Sequence, residues 1–287
     1  MVRNLFCRVL RDAQQTGTAV AAVNVLNHLT ARAVIRAAER ALRPVILQPS
    51  AGTVKRHGVK PFARMIEGLR VEACVPVVLH LDHCTDETLA RECIRAGWDS
   101  VMMDFSARPF EENAALTRRV ADYAHLNGVA VEGEIGVIAG VEDDIVHDAA
   151  CPASFREAVE YLQKTGIDAV APAIGTAHGV YTGRPKLDFE LVRQLGHHYV
   201  PVVVHGGTGL PEDDFKRLIE CGAAKINIST ALKQVYLGTA REALENGAIA
   251  PLDFDKAVEE ACSSQMEAFI RLFAKEEVGV YDSELSG

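Results

Sequence analysis

Eight short apolar runs recur along this chain, and between them lie stretches with the 3.6-residue period of helices. The runs are 19–25 (AVAAVNV), 45–50 (VILQPS), 75–83 (VPVVLHLDH), 100–106 (SVMMDFS), 130–136 (AVEGEIG), 168–175 (DAVAPAIG), 200–207 (VPVVVHGG) and 224–230 (AKINIST). They are nearly continuous in apolar character rather than alternating, as strands of a parallel sheet covered on both faces should be. LTARAVIRAAERAL, ETLARECIRAG, PFEENAALTRRVADYAHLNG and SFREAVEYLQKTG have the helical pattern. Gly97, Gly128, Gly166 and Gly222 stand where helices should end, and Ser154 and Pro211 where helices should start. Strand–helix alternation with no break in composition predicts an α/β fold, a single (β/α)8 TIM barrel over residues 1–287. Residues 254–287 are the C-terminal extension, which begins with a long amphipathic helix.

The chain has 287 residues, and a barrel of this kind needs roughly 250. The formal charge of -9 argues against nucleic acid as a partner, because phosphate neutralisation requires a basic face. Seven cysteines, an odd number without regular spacing, read as reduced thiols in a cytoplasmic protein. No run approaches the roughly 20 apolar residues of a membrane span. The segment 137–153 (VIAGVEDDIVHDAACPA) exceeds a minimal βα loop and reads as a mobile lid.

Three of the runs place a histidine at or just beyond the strand end: His83, His178 and His205. The C-terminal strand ends of a barrel meet at one mouth, so residues remote in sequence can converge there. Three neutral imidazoles with a fourth position open form a catalytic zinc ligand set. His80, deeper on the same strand as His83, reads as structural. Asp82 either orients an imidazole or acts as a general acid/base on a substrate hydroxyl. Glu132 and Glu134 share one strand face, and if that face is inward they need a cation or donors nearby. Glu134 is the nearer to the mouth. Glu142, on composition, is a solvated charge of the lid. HGGTG (205–209) and NIST (227–230) follow the last two strands, where barrels often bind phosphate. Asn24 and Ser50 end the first two strands, as substrate contacts or as helix caps.

With HLDH, VEGEIG followed by GVEDD, GTAHGVY, VVHGGTGLP and KINIST in this order, the chain resembles the class II, zinc-dependent ketose-bisphosphate aldolases of the fructose- and tagatose-1,6-bisphosphate type. The resemblance implies that His83, His178 and His205 hold zinc, with Glu134 as a ligand in one of two metal positions. It implies a ketose phosphate cleaved to dihydroxyacetone phosphate and an aldehyde, through an enediolate stabilised by the metal as Lewis acid. Asp82 would move the proton of the aldol hydroxyl, and Glu142 would exchange the proton at the nucleophilic carbon. Gly179, Gly206, Gly207, Thr208, Asn227, Ser229 and Thr230 would bind the phosphate end and the enediolate, with a monovalent cation on backbone carbonyls. Asn24 and Ser50 would contact substrate. The family implies a homodimer or homotetramer.

The chain departs from the family pattern at several positions. Cys84 follows HLDH in place of glycine, IAG stands for a GG pair, Thr182 replaces a frequent lysine, and Ser229 replaces an acidic or amide residue. PLDFDKAV lacks an arginine that in relatives holds the distal phosphate across a subunit boundary. Such a contact contributes about 1.5–3 kcal/mol. The expected aldehyde is therefore one other than glyceraldehyde 3-phosphate, unless Arg56 or Arg184 substitutes. A ketose 1-phosphate aldolase, or a zinc-binding barrel without turnover, is the alternative. No lysine ends a strand at the mouth except Lys225, which disfavours an imine mechanism.

Overall fold

The computed structural model describes residues 4–142, 145–147, 150–179, 181, 183–196, 200–246 and 250–276. The strands in chain order are β1 Val20–Val23, β2 Val45–Leu47, β3 Val77–Cys84, β4 Ser100–Met103, β5 Ala130–Ile135, β6 Ala139–Glu142, β7 Ile145–His147, β8 Ala169–Pro172, β9 Ala177–His178, β10 Val202–Val204 and β11 Ala223–Ile228. Eight of them close a parallel barrel in the order β1-β2-β3-β4-β5-β8-β10-β11 and back to β1. The fold is a TIM barrel, as the eight runs require.

Most strands are shorter than the apolar runs, because each chain leaves the sheet where the mouth begins. After Val204, for example, Gly206 takes a positive φ of 67°, a turn open to glycine at little cost. The strands bury both faces, which explains their lack of alternation. Val78, Met102, Ala130, Ala169, Ala171 and Val203 point inward, while Val77, Leu79, Leu81, Val101 and Val131 pack under the surrounding helices.

The lower end of the barrel is closed by the helix Leu5–Thr16, which precedes the eight strand–helix repeats and is not part of their pattern. Its buried residues Phe6, Val9, Leu10 and Ala13 follow i, i+3, i+4, i+7 spacing and join the inward apolar cluster. Asn4 caps it by accepting from the Cys7 N–H at 3.2 Å. The Asn4 amide also donates to the carbonyls of Asp99 (2.7 Å) and Gly128 (2.9 Å), just before β4 and β5, which fixes the helix to that end.

The C-terminal helix runs Pro251–Phe273, three residues longer at its start than expected because Pro251 supplies the first turn. It packs on the barrel of its own chain. Glu259, 2% exposed, receives Arg36 at 2.7 Å together with Arg32, while Phe269 and Phe273 meet Phe215. The segment 137–153 is more ordered than a plain lid loop. β6 and β7 form an antiparallel hairpin, β6 also pairs with β9, and Val137 and Cys151 exchange backbone hydrogen bonds at its base. Asp143, Asp144, Asp148 and Ala149 lie outside the described residues. All seven cysteines are free thiols, and no helix among the described residues is long and apolar enough to cross a membrane.

Candidate metal centre and phosphate cavity

Strand parity sends Val78, His80 and Asp82 of β3 into the barrel, so His83 should point outward. It does not, because His83 adopts φ 44° and the β3–β4 register shifts between Leu81 and Cys84. A non-glycine residue in this left-handed region costs about 1–2 kcal/mol, and the distortion turns two consecutive side chains toward the same mouth. The His83 ring then lies 4.5 Å from that of His205 and 4.9 Å from that of His178, centroid to centroid. One ring nitrogen from each of the three lies within 4.8 Å of the others, a set able to hold a metal ion.

The proton positions on these rings follow from their carboxylate neighbours. His205 Nε2 lies 2.9 Å from Glu132 Oε1, and His83 Nδ1 lies 2.9 Å from Asp104 Oδ2. Burial alone would raise both carboxyls. Lys225 with His205 outweighs it at Glu132, and His83 with Ser106 does so at Asp104, so both stay below the usual carboxylate range. Ionised carboxylates only accept, so the imidazole protons sit on His205 Nε2 and His83 Nδ1. The remaining nitrogens, His205 Nδ1 and His83 Nε2, face each other at 2.8 Å. Two lone pairs at that distance repel unless a cation lies between them or a proton is added. Burial, and then the neighbouring His83, hold His205 down to about 4, so protonation is disfavoured. The donor set therefore fits a divalent metal, with Glu132 and Asp104 orienting the ligands.

Glu134 sits beside this centre. Its Oε2 is buried without a hydrogen bond among the described residues and lies 3.8 Å from His83 Nδ1. Burial and the neighbouring Asp104 push its carboxyl well above the ordinary range. A cation at the alternative cluster of His83, Asp104 and Glu134 would reverse that shift.

Asp82 is fully buried. Its Oδ2 accepts from Asn24 Nδ2 at 2.7 Å and its Oδ1 from Asn227 Nδ2 at 3.4 Å. Gln48 in turn donates to Asn24 Oδ1 at 2.8 Å. Asn24 is thus no helix cap; Asn27 caps the following helix. Ser50 does cap, accepting from the Thr53 N–H at 3.2 Å, and it bridges through its backbone to Asp82. Lys225, expected at the mouth, is buried below it, with Nζ 3.0 Å from Glu132 Oε2 and 2.8 Å from Asn227 Oδ1. An ammonium tied up this way is no imine-forming amine. His80, also fully buried, pairs with Ser100 Oγ at 2.8 Å and stacks on Phe6.

Beside His178, one cavity is walled by Gly179, Gly206, Gly207, Thr208, Asn227, Ser229 and Thr230. All seven residues that the sequence reading grouped at the phosphate end are brought together there. At Gly206 a Cβ would strike the Ala177 carbonyl oxygen at 2.3 Å, and at Gly207 the Asn227 carbonyl oxygen at 2.7 Å. Glu142 ends β6, with its backbone paired to Ile145, and its side chain lies outside what is described. Thr182 is outside the described residues too. Sequence reasoning missed Asp104, Gln48 and Lys233, the last of which also lines the cavity. Asp104 had a signal, since it directly follows the strand Ser100–Met103, two residues beyond the inward Met102.

A parallel barrel with a three-histidine cluster and a buried aspartate at its mouth has the arrangement of a metal-dependent barrel enzyme. Residues 5–277 match the family model described as fructose-bisphosphate aldolase class-II. The chain is 41% identical over 242 residues to a fructose-bisphosphate aldolase of Staphylococcus aureus (strain COL), covering 83% of this chain and 85% of that protein. It is 39% identical over 251 residues to a probable fructose-bisphosphate aldolase of Bacillus subtilis (strain 168), covering 86% and 87%. Among solved structures, the YdjI aldolase of Escherichia coli K12 superposes with a TM-score of 0.84 at 33% identity, covering 94% of this chain and 97% of that one. A putative fructose-1,6-biphosphate aldolase of Coccidioides immitis gives 0.89 at 29%, covering 96% and 97%. The chain belongs to the class II fructose-bisphosphate aldolase family, and is a class II aldolase, a lyase.

Proposed function

We propose that this aldolase cleaves a ketose carrying a phosphate on C1, releasing dihydroxyacetone phosphate and an aldehyde that need not be phosphorylated. The reading rests above all on one juxtaposition: a carboxylate fixed by two amides, Asp82, beside three convergent imidazoles and a cavity of glycine turns and hydroxyls. His83, His178 and His205 would hold zinc, with Glu134 serving when the ion shifts toward Asp104. When bound, the metal supplies Lewis acidity that draws electron density from the substrate carbonyl. Asp82 takes the proton of the C4 hydroxyl as the C3–C4 bond breaks, and Asn24 and Asn227 keep its oxygens aimed. Glu142 returns a proton to C3. Asn24 and Ser50 orient the chain of the sugar. Gly179, Gly206, Gly207, Thr208, Asn227, Ser229 and Thr230 receive the C1 phosphate, with a monovalent cation on neighbouring carbonyls. The whole chain acts as one catalytic unit, in a cytoplasmic homodimer or homotetramer.

The distal phosphate lacks an evident partner among the described residues. Arg184, one of the two candidates, is engaged by Asp214 at 2.8 Å, and Arg56 is exposed. Cleavage of a ketose 1,6-bisphosphate should therefore be no more efficient than cleavage of the matching 1-phosphate. Comparing kcat/KM for the two across the fructose and tagatose series tests this, and a strong preference for the bisphosphate would overturn it.

A further inference from the structure

Tyr181 closes the segment GTAHGVY, and nothing in the chemistry above uses it. Its hydroxyl accepts from the Ala177 N–H at 3.0 Å and donates to the Gly206 carbonyl at 2.7 Å. Ala177 immediately precedes His178, and Gly206 immediately follows His205. One hydroxyl therefore joins the backbones that carry two of the three imidazoles. An N–H only donates and a carbonyl only accepts, so the phenol proton points at Gly206, and a phenol keeps that proton at neutral pH. The backbone around the link leaves no room for side chains. A Cβ on Gly206 would strike the Ala177 carbonyl, and one on Gly209 would meet the Tyr181 ring at 3.2 Å.

The three imidazoles are not held alike. His83 lies in β3 and His205 directly follows β10, both strands of the closed barrel. Asp104 and Glu132 orient their rings. His178 lies well past Pro172, where β8 leaves the barrel, in the two-residue β9 that pairs with β6 of the hairpin. Its distance from His205 is therefore not set by the barrel ladder, and the Tyr181 hydroxyl ties the two segments directly.

We propose that Tyr181 is a positioning residue of the metal centre, whose hydroxyl holds His178 at ligand distance from His205. This rests on the metal-dependent reading above. The test compares wild type, Tyr181→Phe and Tyr181→Leu for zinc affinity, by competition with a chromophoric chelator, and for thermal unfolding with and without zinc. Tyr181→Phe should weaken zinc binding by about 10- to 100-fold, the usual effect of removing a group that orients metal ligands. Zinc should then raise the unfolding midpoint of Tyr181→Phe less than that of wild type, because stabilisation by a ligand follows its affinity. A merely structural hydroxyl would lower the midpoints with and without zinc alike and leave zinc affinity unchanged, which would overturn the assignment. Weakening in Tyr181→Leu alone would overturn it too, since the effect would then belong to the ring beside Gly209 and not to the hydroxyl. Wild type that binds no stoichiometric zinc would instead remove the metal centre itself, and the assignment with it.

Discussion

At the lower end of the barrel, Phe6, Leu10 and Ala13 of the N-terminal helix meet Val78, Ala130 and Ala169 in an apolar plug. Two to four residues further along the same strands, the inward positions are His80 and Asp82, Glu132 and Glu134. The strand backbone is the same at both ends, and the energetics are opposite. The plug gains from every apolar atom it buries. The mouth buries carboxylates, imidazoles and a lysine, each of which must find a partner or cost several kcal/mol. Lys225, Asn24 and Asn227 satisfy part of that demand, and the facing nitrogens of His83 and His205 leave a place for a metal. Stability should therefore follow changes at the lower end, and turnover changes at the mouth.

The strongest break of that contrast should come from His205→Ala, which removes a ligand and should eliminate stoichiometric metal and turnover together. Elemental analysis beside a cleavage assay checks this. Asp82→Ala should lower cleavage by about 10²–10⁴-fold, the usual contribution of a general acid/base, and leave metal content unchanged. Loss of metal in that variant would make Asp82 an orienting carboxylate instead. Phe6→Ala, at the other end, should cost about 3–5 kcal/mol in denaturant unfolding with kcat nearly unchanged.

A smaller effect sharpens the comparison outside the barrel. Glu259 lies under the helix His28–Ala41, where burial alone would raise its carboxyl, but Arg32 and Arg36 more than offset this and lower it. Its folded-state value is thus below its unfolded one near 4.3, so its stabilisation is present above that pH and lost as pH falls through the folded value. Glu259→Gln should destabilise by about 1–3 kcal/mol at pH 7. The gap to wild type should shrink as unfolding is measured at progressively lower pH, and a gap independent of pH would contradict the pairing.

Much of this was legible in the sequence, for particular reasons. Continuous apolar runs spaced by helical periods imply a closed parallel barrel, and glycines and hydroxyls after the last strands imply a cavity at its mouth. The pairing of Glu132 with Lys225 was not legible, because two buried residues 93 positions apart become partners only through the register of β5, β8, β10 and β11. The turn of His83 into the mouth was hidden as well, since parity alone would have pointed it out of the barrel. The segment 137–153 looked like a loop because its glycine and acidic residues mask a short hairpin. Its Gly140 passes so close to His178 that a Cβ would lie 2.2 Å from that residue's carbonyl oxygen. The N-terminal helix has a legible signal in the spacing of Phe6, Val9, Leu10 and Ala13, although it stands outside the repeating barrel pattern.

The most direct test of the mouth as a metal-dependent carbanion site avoids the unknown aldehyde. Purified protein is given dihydroxyacetone phosphate in heavy water, and the C3 proton signal is followed by NMR with and without chelator. Loss of one C3 proton that stops on metal removal and returns on adding zinc is the expected result. No exchange by zinc-loaded protein, or exchange indifferent to chelator, would contradict the account.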